Sequence, residues 1–192
     1  ISVDCRWELI DSMEFEEGIG VFPHYRSIMW DKKHIHRLLH TYSGRIVIAS
    51  SEDKKMIGYI AFSHPVPEEG WPDALVRLLY ELGSIEVSRN WRHIGIAKEM
   101  LKAAMDDDAM NDYIVILSGY SWHWDMDGTN LSKNEYRKML MGMFAAAGFR
   151  HYYTNEPNVL MDAANMLMAR IGGRVTKKDR DTFIETLFSF KA

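Results

Sequence analysis

Cysteine is almost absent from this chain, since Cys5 is the only one among 192 residues. A lone thiol cannot build an intramolecular disulfide framework, which excludes the small disulfide-stapled proteins and leads us to expect a reducing, cytoplasmic compartment. A nucleophilic cysteine would need a histidine and an orienting acid nearby, and no local pattern supplies them. We therefore expect Cys5 to be chemically inert.

Long apolar runs and an excess of positive charge are also missing. The most apolar stretch, residues 139–149, is shorter than the roughly 18 to 20 residues that a membrane span needs, and no secretory leader pattern is visible. The formal net charge is −4, whereas nucleic-acid-binding domains usually carry a basic surface. We therefore expect neither a membrane nor a nucleic-acid partner.

Histidines do not form a recognisable metal motif. His36 and His40 stand four residues apart in a segment with helical spacing, and His34 is close by. A zinc site needs further ligands in a defined geometry, and no His-Glu-x-x-His pattern is present. We expect no bound metal.

Apolar periodicity predicts one α/β or α+β domain over residues 1–192, with helices packed on a mixed sheet. The segment at 72–80 fits either a helix or a loop, and 63–72 is a proline-rich loop. Strands are predicted at 1–5, 44–50, 56–63, 82–88, 113–119, 149–154 and 165–172, and helices at 8–15, 28–40, 97–107, 132–148 and 177–189.

The segment RHIGIA, residues 92–97, lies between a predicted strand and a predicted helix. Gly95 permits close approach of a ligand, and the free N–H groups at a helix start attract a phosphate, although such a turn is also compatible with a purely structural role. The dinucleotide fingerprint needs three glycines and the P-loop needs Gly-Lys-Ser/Thr, and both are missing. An anion site at this turn is the functional interpretation.

The string IEVSRNWRHIGIAKEML resembles the acyl-CoA pyrophosphate loop of the GNAT N-acetyltransferase superfamily, and the order of elements over roughly residues 44–172 is similar to that superfamily. Further motifs resemble its acetoin utilization AcuA family: GRIVIAS, IGYIAFSHP, ELGSIEVS, NDYIVI, YSWHWD, EYRKML and LMARIG. The resemblance implies the GNAT fold, a mostly antiparallel central sheet with a β-α-β core that binds acetyl-CoA. It also implies a protein lysine acetyltransferase that silences acetyl-CoA synthetase.

The resemblance further implies where acetyl-CoA binds. The backbone of Ile85 and Val87 is expected to pair with the pantetheine arm, and Arg92 is expected to add a charge contact to the pyrophosphate. The amides that would hold the pyrophosphate belong to His93, Ile94, Gly95, Ile96, Ala97 and Lys98.

Two glutamates are candidates for the base that removes a proton from the substrate ammonium. Glu81 lies eleven residues before Arg92, the spacing at which several lysine-acetylating GNAT enzymes carry their base. Glu86 lies mid-strand between apolar residues, where a carboxylate needs a reason. Strand alternation places the two on opposite faces, so we expect only one to reach the acyl group, and we favour Glu81.

The general acid departs from the GNAT pattern. Many GNAT enzymes carry a tyrosine four residues before the Gly-Phe pair, and Phe144 occupies that place here. Tyr136, early in the same predicted helix, is a possible substitute, although core packing explains it as well.

The segment YSWHWD is expected to form one wall of the substrate groove through Trp122, His123 and Trp124, with His123 relaying a proton. An aromatic plug that only shapes a loop is an equally good interpretation.

Three functions follow from these features. The first is a protein lysine acetyltransferase, and the second is an acetyltransferase for a small amine. The third is an acyl-CoA-binding regulatory module without chemistry, which Phe144 keeps open. A pocket closed by the tryptophans and the loop at 64–72 would favour the small amine, whereas an open groove would favour a protein.

Overall fold

A computed structural model of the chain describes residues 1–3, 5–22, 32–41, 43–66 and 69–190, without the side chains of 32–35 and 41. Within these ranges the backbone forms seven α-helices and seven β-strands. The helices are α1 Trp7–Ser12, α2 Lys32–Thr41, α3 Asp73–Val76, α4 Ile96–Asp106, α5 Lys133–Ala145, α6 Pro157–Leu160 and α7 Lys177–Thr186. The strands are β1 Glu14–Phe15, β2 Arg45–Ser50, β3 Lys55–Ser63, β4 Leu79–Val87, β5 Ile114–Gly119, β6 Arg150–Tyr152 and β7 Met166–Ile171.

The described strands form one mixed sheet in the order β1-β3-β4-β5-β7-β6, and β2 pairs with β3 off this path. The β1–β3 and β4–β5 ladders are parallel, and the β2–β3, β5–β7 and β6–β7 ladders are antiparallel. The α/β fold class is confirmed, and the strands predicted at 44–50 and 56–63 are present as β2 and β3, which pair as an antiparallel hairpin.

The chain divides into two compact units, Ile1–Ser63 with Leu82–Asp106 and His64–Glu81 with Asp107–Ala192. Strand β4 begins in the second unit and ends in the first. The expectation of one domain over 1–192 stays a prediction.

The first unit has its own apolar core under the β2–β3 hairpin. Ile46 and Ile48 of β2 meet Tyr59 and Ala61 of β3 in the antiparallel register, and Ile10 of α1 covers them. Helix α4 packs against both strands. Cys5 is buried in this core, as expected of an inert thiol.

The second unit has a larger core around β5 and β7. Residues 114–117 are buried in succession, which is the pattern of a strand covered on both faces. Ile116 of β5 and Leu167 of β7 pack with Trp71, Leu79 and Phe183 in one cluster. This core supports the loop that precedes α3.

Several predicted boundaries were wrong. The helix predicted at 8–15 ends at Ser12, because Met13 is extended and β1 then pairs with β3. The edge strand predicted at 1–5 is reduced to a bridge between Ser2 and Ile48, and Asp4 lies outside the described residues. Residues 28–31 of another predicted helix also lie outside them. Strand β4 begins at Leu79, so that Glu81 is inside a ladder.

Helix α5 begins with a reciprocal cap. The Ser132 hydroxyl accepts a hydrogen bond from the Glu135 amide, and the Glu135 carboxylate accepts one from the Ser132 amide. We expect Ser132→Ala to lower the free energy of unfolding by about 1 kcal/mol, because the Glu135 amide loses its acceptor and the Glu135 carboxylate loses the hydroxyl donor. Urea denaturation measures this change in the free energy of unfolding. Asn134→Ala, at an exposed position of the same turn, is the control and should change stability by less than about 0.5 kcal/mol.

Candidate functional site

A cavity of about 620 Å³ in the second unit is rich in carboxylates. Its walls include Glu69, Glu81 and Glu156, together with the hydroxyl-bearing Tyr120 and the amide of Asn158. Three carboxylates in one concave space make it suited to a cationic group. One of them, Glu81, is the residue favoured from the sequence as the base.

Glu81 is held in place by strand β4. Its backbone pairs with Ile116 in the parallel β4–β5 ladder. This is the last described pair of that ladder, although β4 itself continues to Val87. Burial, the negative charge of Glu69 and a hydrogen bond with Glu69 together raise the pKa of the Glu81 carboxyl to about 7, and burial is the largest of these causes. A carboxyl with this pKa can exchange a proton near neutrality.

Glu69 was missed by the sequence analysis, and the structure brings it to Glu81. It lies on the loop between β3 and α3, where its Oε2 accepts a hydrogen bond from the Val66 amide at 3.3 Å. Two residues later, Trp71 is buried against Phe183 and Phe190. No fixed spacing links Glu69 to Glu81, but a glutamate beside an anchoring tryptophan in a proline-rich loop was the available signal.

Tyr120 is a further cavity residue to which the sequence analysis assigned no role of its own. Burial raises the pKa of its hydroxyl to about 12, while hydrogen bonds with Ser118 and Asn158 act in the opposite direction. The negative charges of Glu156 and Glu81 contribute to the rise. Tyr120 therefore keeps its proton at neutral pH and is a proton donor within the cavity.

The residues proposed for the substrate groove follow Tyr120 but do not line this cavity. Trp122 stacks on Tyr120 with ring centroids 5.0 Å apart and is 41% exposed. His123 lies edge-on to both rings, and partial burial lowers the pKa of its imidazole. Trp124 is buried against Tyr136. Their role in a substrate groove stays a prediction.

The two residues considered for the acid role lie on α5. The Tyr136 hydroxyl donates a hydrogen bond to the Asp125 carbonyl at 3.3 Å, and Tyr136 is not among the cavity's lining residues. Phe144 is buried against Phe149 and offers no proton. The catalytic role of Tyr136 stays a prediction.

Asn165 ties two walls of the cavity together. Its side chain is 4% exposed, accepts a hydrogen bond from the Ser121 amide at 2.7 Å and donates one to the Asn158 carbonyl at 2.7 Å. Ser121 follows Tyr120, so one buried amide fixes both the tyrosine side and the α6 side. Asp162 adds to this arrangement by accepting from the Ser121 hydroxyl and from Lys133.

Glu86 lies in the first unit and is engaged in structural hydrogen bonds. Its carboxylate accepts from the Gly20 amide at 2.6 Å and from the Tyr59 hydroxyl at 3.0 Å. These bonds give a structural reason for a carboxylate in an apolar strand. Which glutamate is the base stays a prediction, but Glu81 is the one that lines the carboxylate-rich cavity.

The candidate phosphate loop also lies in the first unit. His93 and Gly95 have φ of +67° and +92°, and α4 begins at Ile96. Glu99 donates its amide to the Gly95 carbonyl, and the earlier amides of that first turn have no intrahelical acceptor. Ile94 is 68% exposed, and a Cβ built on Gly95 would meet open space.

Two strand residues and an arginine complete the expected acetyl-CoA site. Ile85 and Val87 are half-buried on β4, beyond the described ladder with β5. Arg92 donates from Nε to the Val87 carbonyl at 3.2 Å, which ties the loop to the end of the strand. A charge contact from Arg92 to a pyrophosphate stays a prediction.

The histidines considered for metal binding pack against other rings. His36 lies edge-on to Trp7 and beside His40, with centroids 5.2 and 4.3 Å apart. The side chain of His34 lies outside the described set. Among the residues searched, none form a cluster of three metal-binding side chains, and no helix is both long and apolar enough to cross a membrane.

The sequence of residues 7–117 matches the model of the acetyltransferase (GNAT) family. The chain belongs to that family. It is 38% identical, over 140 residues, to the acetoin utilization protein AcuA of Bacillus subtilis, an alignment that covers 73% of this chain and 66% of that protein. The chain thus spans just under two thirds of the length of this curated relative.

Solved structures agree with the family assignment. An acetoin utilization protein from Exiguobacterium sibiricum 255-15 superposes with a TM-score of 0.87 at 30% identity, over 97% of this chain and 86% of that one. A GNAT phosphinothricin acetyltransferase from Sinorhizobium meliloti, solved in complex with AcCoA, shares the fold with a TM-score of 0.57 at 17% identity, over 92% and 93% of the two chains. The predicted GNAT fold is confirmed.

We expect Asn165→Leu to lower the free energy of unfolding by about 1 to 3 kcal/mol, because the Ser121 amide is left buried without an acceptor. Urea denaturation followed by tryptophan fluorescence measures the change. Met161→Ala, a nearby exposed position, is the control and should stay within about 0.5 kcal/mol of the unmodified protein. Equal stability of the two variants would show that Asn165 does not tie the walls together.

Proposed function

We propose that the chain catalyses acetyl-CoA-dependent N-acetylation of a lysine side chain on a protein, with Glu81 as the general base. The observation that carries this proposal is the position of Glu81. In a member of the GNAT family, it lies in a carboxylate-rich cavity, and its carboxyl has a pKa of about 7. A lysine ammonium is attracted by such a cavity and must lose a proton before it can attack.

The residues of the loop fit acetyl-CoA. The exposed first-turn amides and the positive end of the α4 dipole suit the pyrophosphate, and Gly95 leaves room for it. The backbone groups of Ile85 and Val87 suit the amides of a pantetheine arm. When bound, acetyl-CoA supplies a thioester whose acetyl group passes to the amine nitrogen, with CoA as the second product.

The cavity residues then carry out the proton steps. Ionised Glu81 attracts the ammonium and takes one proton from it, so that the nitrogen lone pair becomes free. The protonated Glu81 loses its proton to solvent afterwards. Tyr120 holds a proton in the same cavity, and we propose it as the acid in place of the tyrosine that Phe144 replaces, with Tyr136 as the alternative donor.

We propose acetyl-CoA synthetase as the protein substrate and the cytoplasm as the location. The identity of 38% with AcuA and the AcuA-like motifs support the substrate, since that family is understood to silence acetyl-CoA synthetase. The single cysteine, buried in the first unit, is compatible with a reducing compartment.

A small-amine substrate is the second candidate, favoured by one observation. The loop at 64–72 contributes Glu69, Gly70 and Trp71 to the cavity, as expected of a pocket that closes over a small molecule. The tryptophans do not complete the closure, because Trp122 is exposed and does not line the cavity. The protein substrate therefore remains the primary proposal.

We expect Glu81→Gln to lower the rate of acetyl transfer about 100-fold or more, because the amide cannot accept the ammonium proton. The measurement is intact-mass analysis of acetyl-CoA synthetase after incubation with this protein and acetyl-CoA, where one acetyl group adds about 42 Da. Glu86→Gln is the matched variant on the same strand. It should retain most of the transfer rate and instead reduce stability, because the Tyr59 and Gly20 donors lose a charged acceptor.

Full activity of Glu81→Gln together with loss of activity in Glu86→Gln would reverse the assignment of the base. No mass gain with the unmodified protein, while acetyl-CoA still binds, would direct the search to small amines. A biological effect that survives the Glu81→Gln, Glu86→Gln double substitution would favour the regulatory module without chemistry.

We expect Gly95→Asp to weaken acetyl-CoA binding at least about tenfold, because the new carboxylate lies where the pyrophosphate is proposed to bind. Gly128→Asp is the matched control, since Gly128 also has a positive φ, of +73°, and open space at its Cβ position. Isothermal titration calorimetry gives both dissociation constants. If both variants bind acetyl-CoA as the unmodified protein does, the pyrophosphate is not held at this loop.

A further inference from the structure

Glu69 and Glu81 form a carboxyl pair inside the cavity. They come from different elements, one from the loop before α3 and the other from β4, and their side chains are hydrogen-bonded to each other. Two carboxyl groups can share a hydrogen bond only when one of them carries a proton, because two carboxylates offer acceptors alone. A hydrogen bond between them therefore involves the protonated form of one carboxyl, and the raised pKa of Glu81 favours Glu81 as that group.

The loop geometry keeps Glu69 at this position. Trp71 is buried in the core of the second unit, with its ring 5.0 Å from that of Phe190 and 6.0 Å from that of Phe183. Gly70, between Glu69 and Trp71, has φ of +77°, which turns the chain sharply before the tryptophan. The Val66 amide binds the Glu69 carboxylate from the other side. Glu69 is thus delivered to the cavity by a core anchor and a turn.

The remaining charged group of the cavity has a different function. The Glu156 carboxylate accepts from the Val159 amide at 2.6 Å and from the Asn158 side chain at 3.0 Å, so it caps α6. Glu156 and Tyr120 are the other titratable groups that line the described cavity. The negative charge of Glu156 contributes to the raised pKa of Tyr120. Glu69 is the carboxylate that bonds Glu81 directly.

We propose that Glu69 is a positioning residue that orients Glu81 within the cavity for the acetyl-transfer reaction. This inference rests on the proposed function, because it assigns Glu69 a role through the base of that reaction. In the proton step an N–H bond of the substrate ammonium breaks and an O–H bond of Glu81 forms. The new carboxylic acid donates a hydrogen bond to the Glu69 carboxylate, so no further reactant is needed.

The sign of the pH dependence follows from the base role. Glu81 must be ionised to accept a proton, so kcat/KM rises as pH increases through about 7 and then levels off. A neutral amide in place of Glu69 removes a like charge and an acceptor that favours protonated Glu81. The Glu81 carboxyl then ionises at lower pH and is a weaker base at the plateau. Glu81 remains buried in the variant, and burial is the largest cause of its raised pKa, so the pKa returns only part of the way to its ordinary value.

The test compares Glu69→Gln with the unmodified protein in two measurements. The first is the pH profile of kcat/KM for acetylation of acetyl-CoA synthetase. The second is a carbon-13 NMR titration of the Glu81 side-chain carboxyl in the protein without acetyl-CoA, assigned by the resonance that disappears in Glu81→Gln. Glu69→Asp keeps the charge with a shorter reach. Glu52→Gln, on the exposed β2–β3 turn of the first unit, is the control.

We expect the midpoint of the Glu81 titration in Glu69→Gln to fall by about 1 pH unit in both measurements. The plateau of kcat/KM at high pH should be several-fold lower than in the unmodified protein. Glu69→Asp should recover part of the shift, and Glu52→Gln should leave both midpoints unchanged. An unchanged NMR midpoint in Glu69→Gln, in a variant that remains folded by circular dichroism, overturns the proposal. A shifted NMR midpoint with an unmoved kinetic profile also overturns it, because Glu69 would then act on a carboxyl that is not the base.

Failure of the proposed function gives a different result. The unmodified protein would then produce no acetylated acetyl-CoA synthetase at any pH, which overturns the role of Glu69 in catalysis. The NMR midpoint still reports whether the carboxyl pair exists, independently of any turnover.

Discussion

The desolvation of one carboxyl group is the constraint on which the candidate site depends. Glu81 lies on a strand whose neighbours are apolar and buried, so its negative charge is disfavoured relative to water. Glu69 and Glu156 line the same cavity, so negative charges on the three carboxylates repel one another. The same arrangement that is unfavourable for the isolated protein becomes favourable when a cation enters, because the cation offsets the repulsion. The cavity is therefore suited to a positively charged group on electrostatic grounds.

Support for this arrangement comes from residues that do not touch the proposed substrate. Trp71 is fixed by aromatic packing and holds the loop of Glu69, while Asn165 connects the segment after Tyr120 to α6. These contacts are neutral and buried, so they do not depend on ionic strength. The charged groups are thus mounted on elements whose positions are set by packing and by uncharged hydrogen bonds, which preserves the geometry when protonation changes.

Much of the fold could be predicted from the sequence because strands and helices leave local patterns. Strands β2, β3 and β5 and helix α5 lie close to the bounds that the apolar pattern predicts. The motif around Gly95 suggested the GNAT family only together with the strand before it, the helix after it and the order of the surrounding elements. Short elements were predicted less well, because β1 has two residues and its pairing with β3 is a tertiary contact.

The candidate site was only partly predictable for a similar reason. Glu81 was accessible through its spacing from Arg92, and YSWHWD through its composition. Glu69 was not accessible, since its approach to Glu81 depends on Trp71 finding a place in the core. The same holds for Tyr120, which lies in the motif singled out from the sequence, but whose direction into the cavity follows from how β5 ends.

The raised pKa of Glu81 makes the charge of the cavity responsive to the acidity of its surroundings. The pair changes its total charge as pH crosses the neutral range, because Glu81 ionises near pH 7. Acidification then weakens the attraction for a cation and removes the acceptor for its proton together. In the proposed reaction, recognition of the cation and acceptance of its proton therefore depend on one titration, that of Glu81.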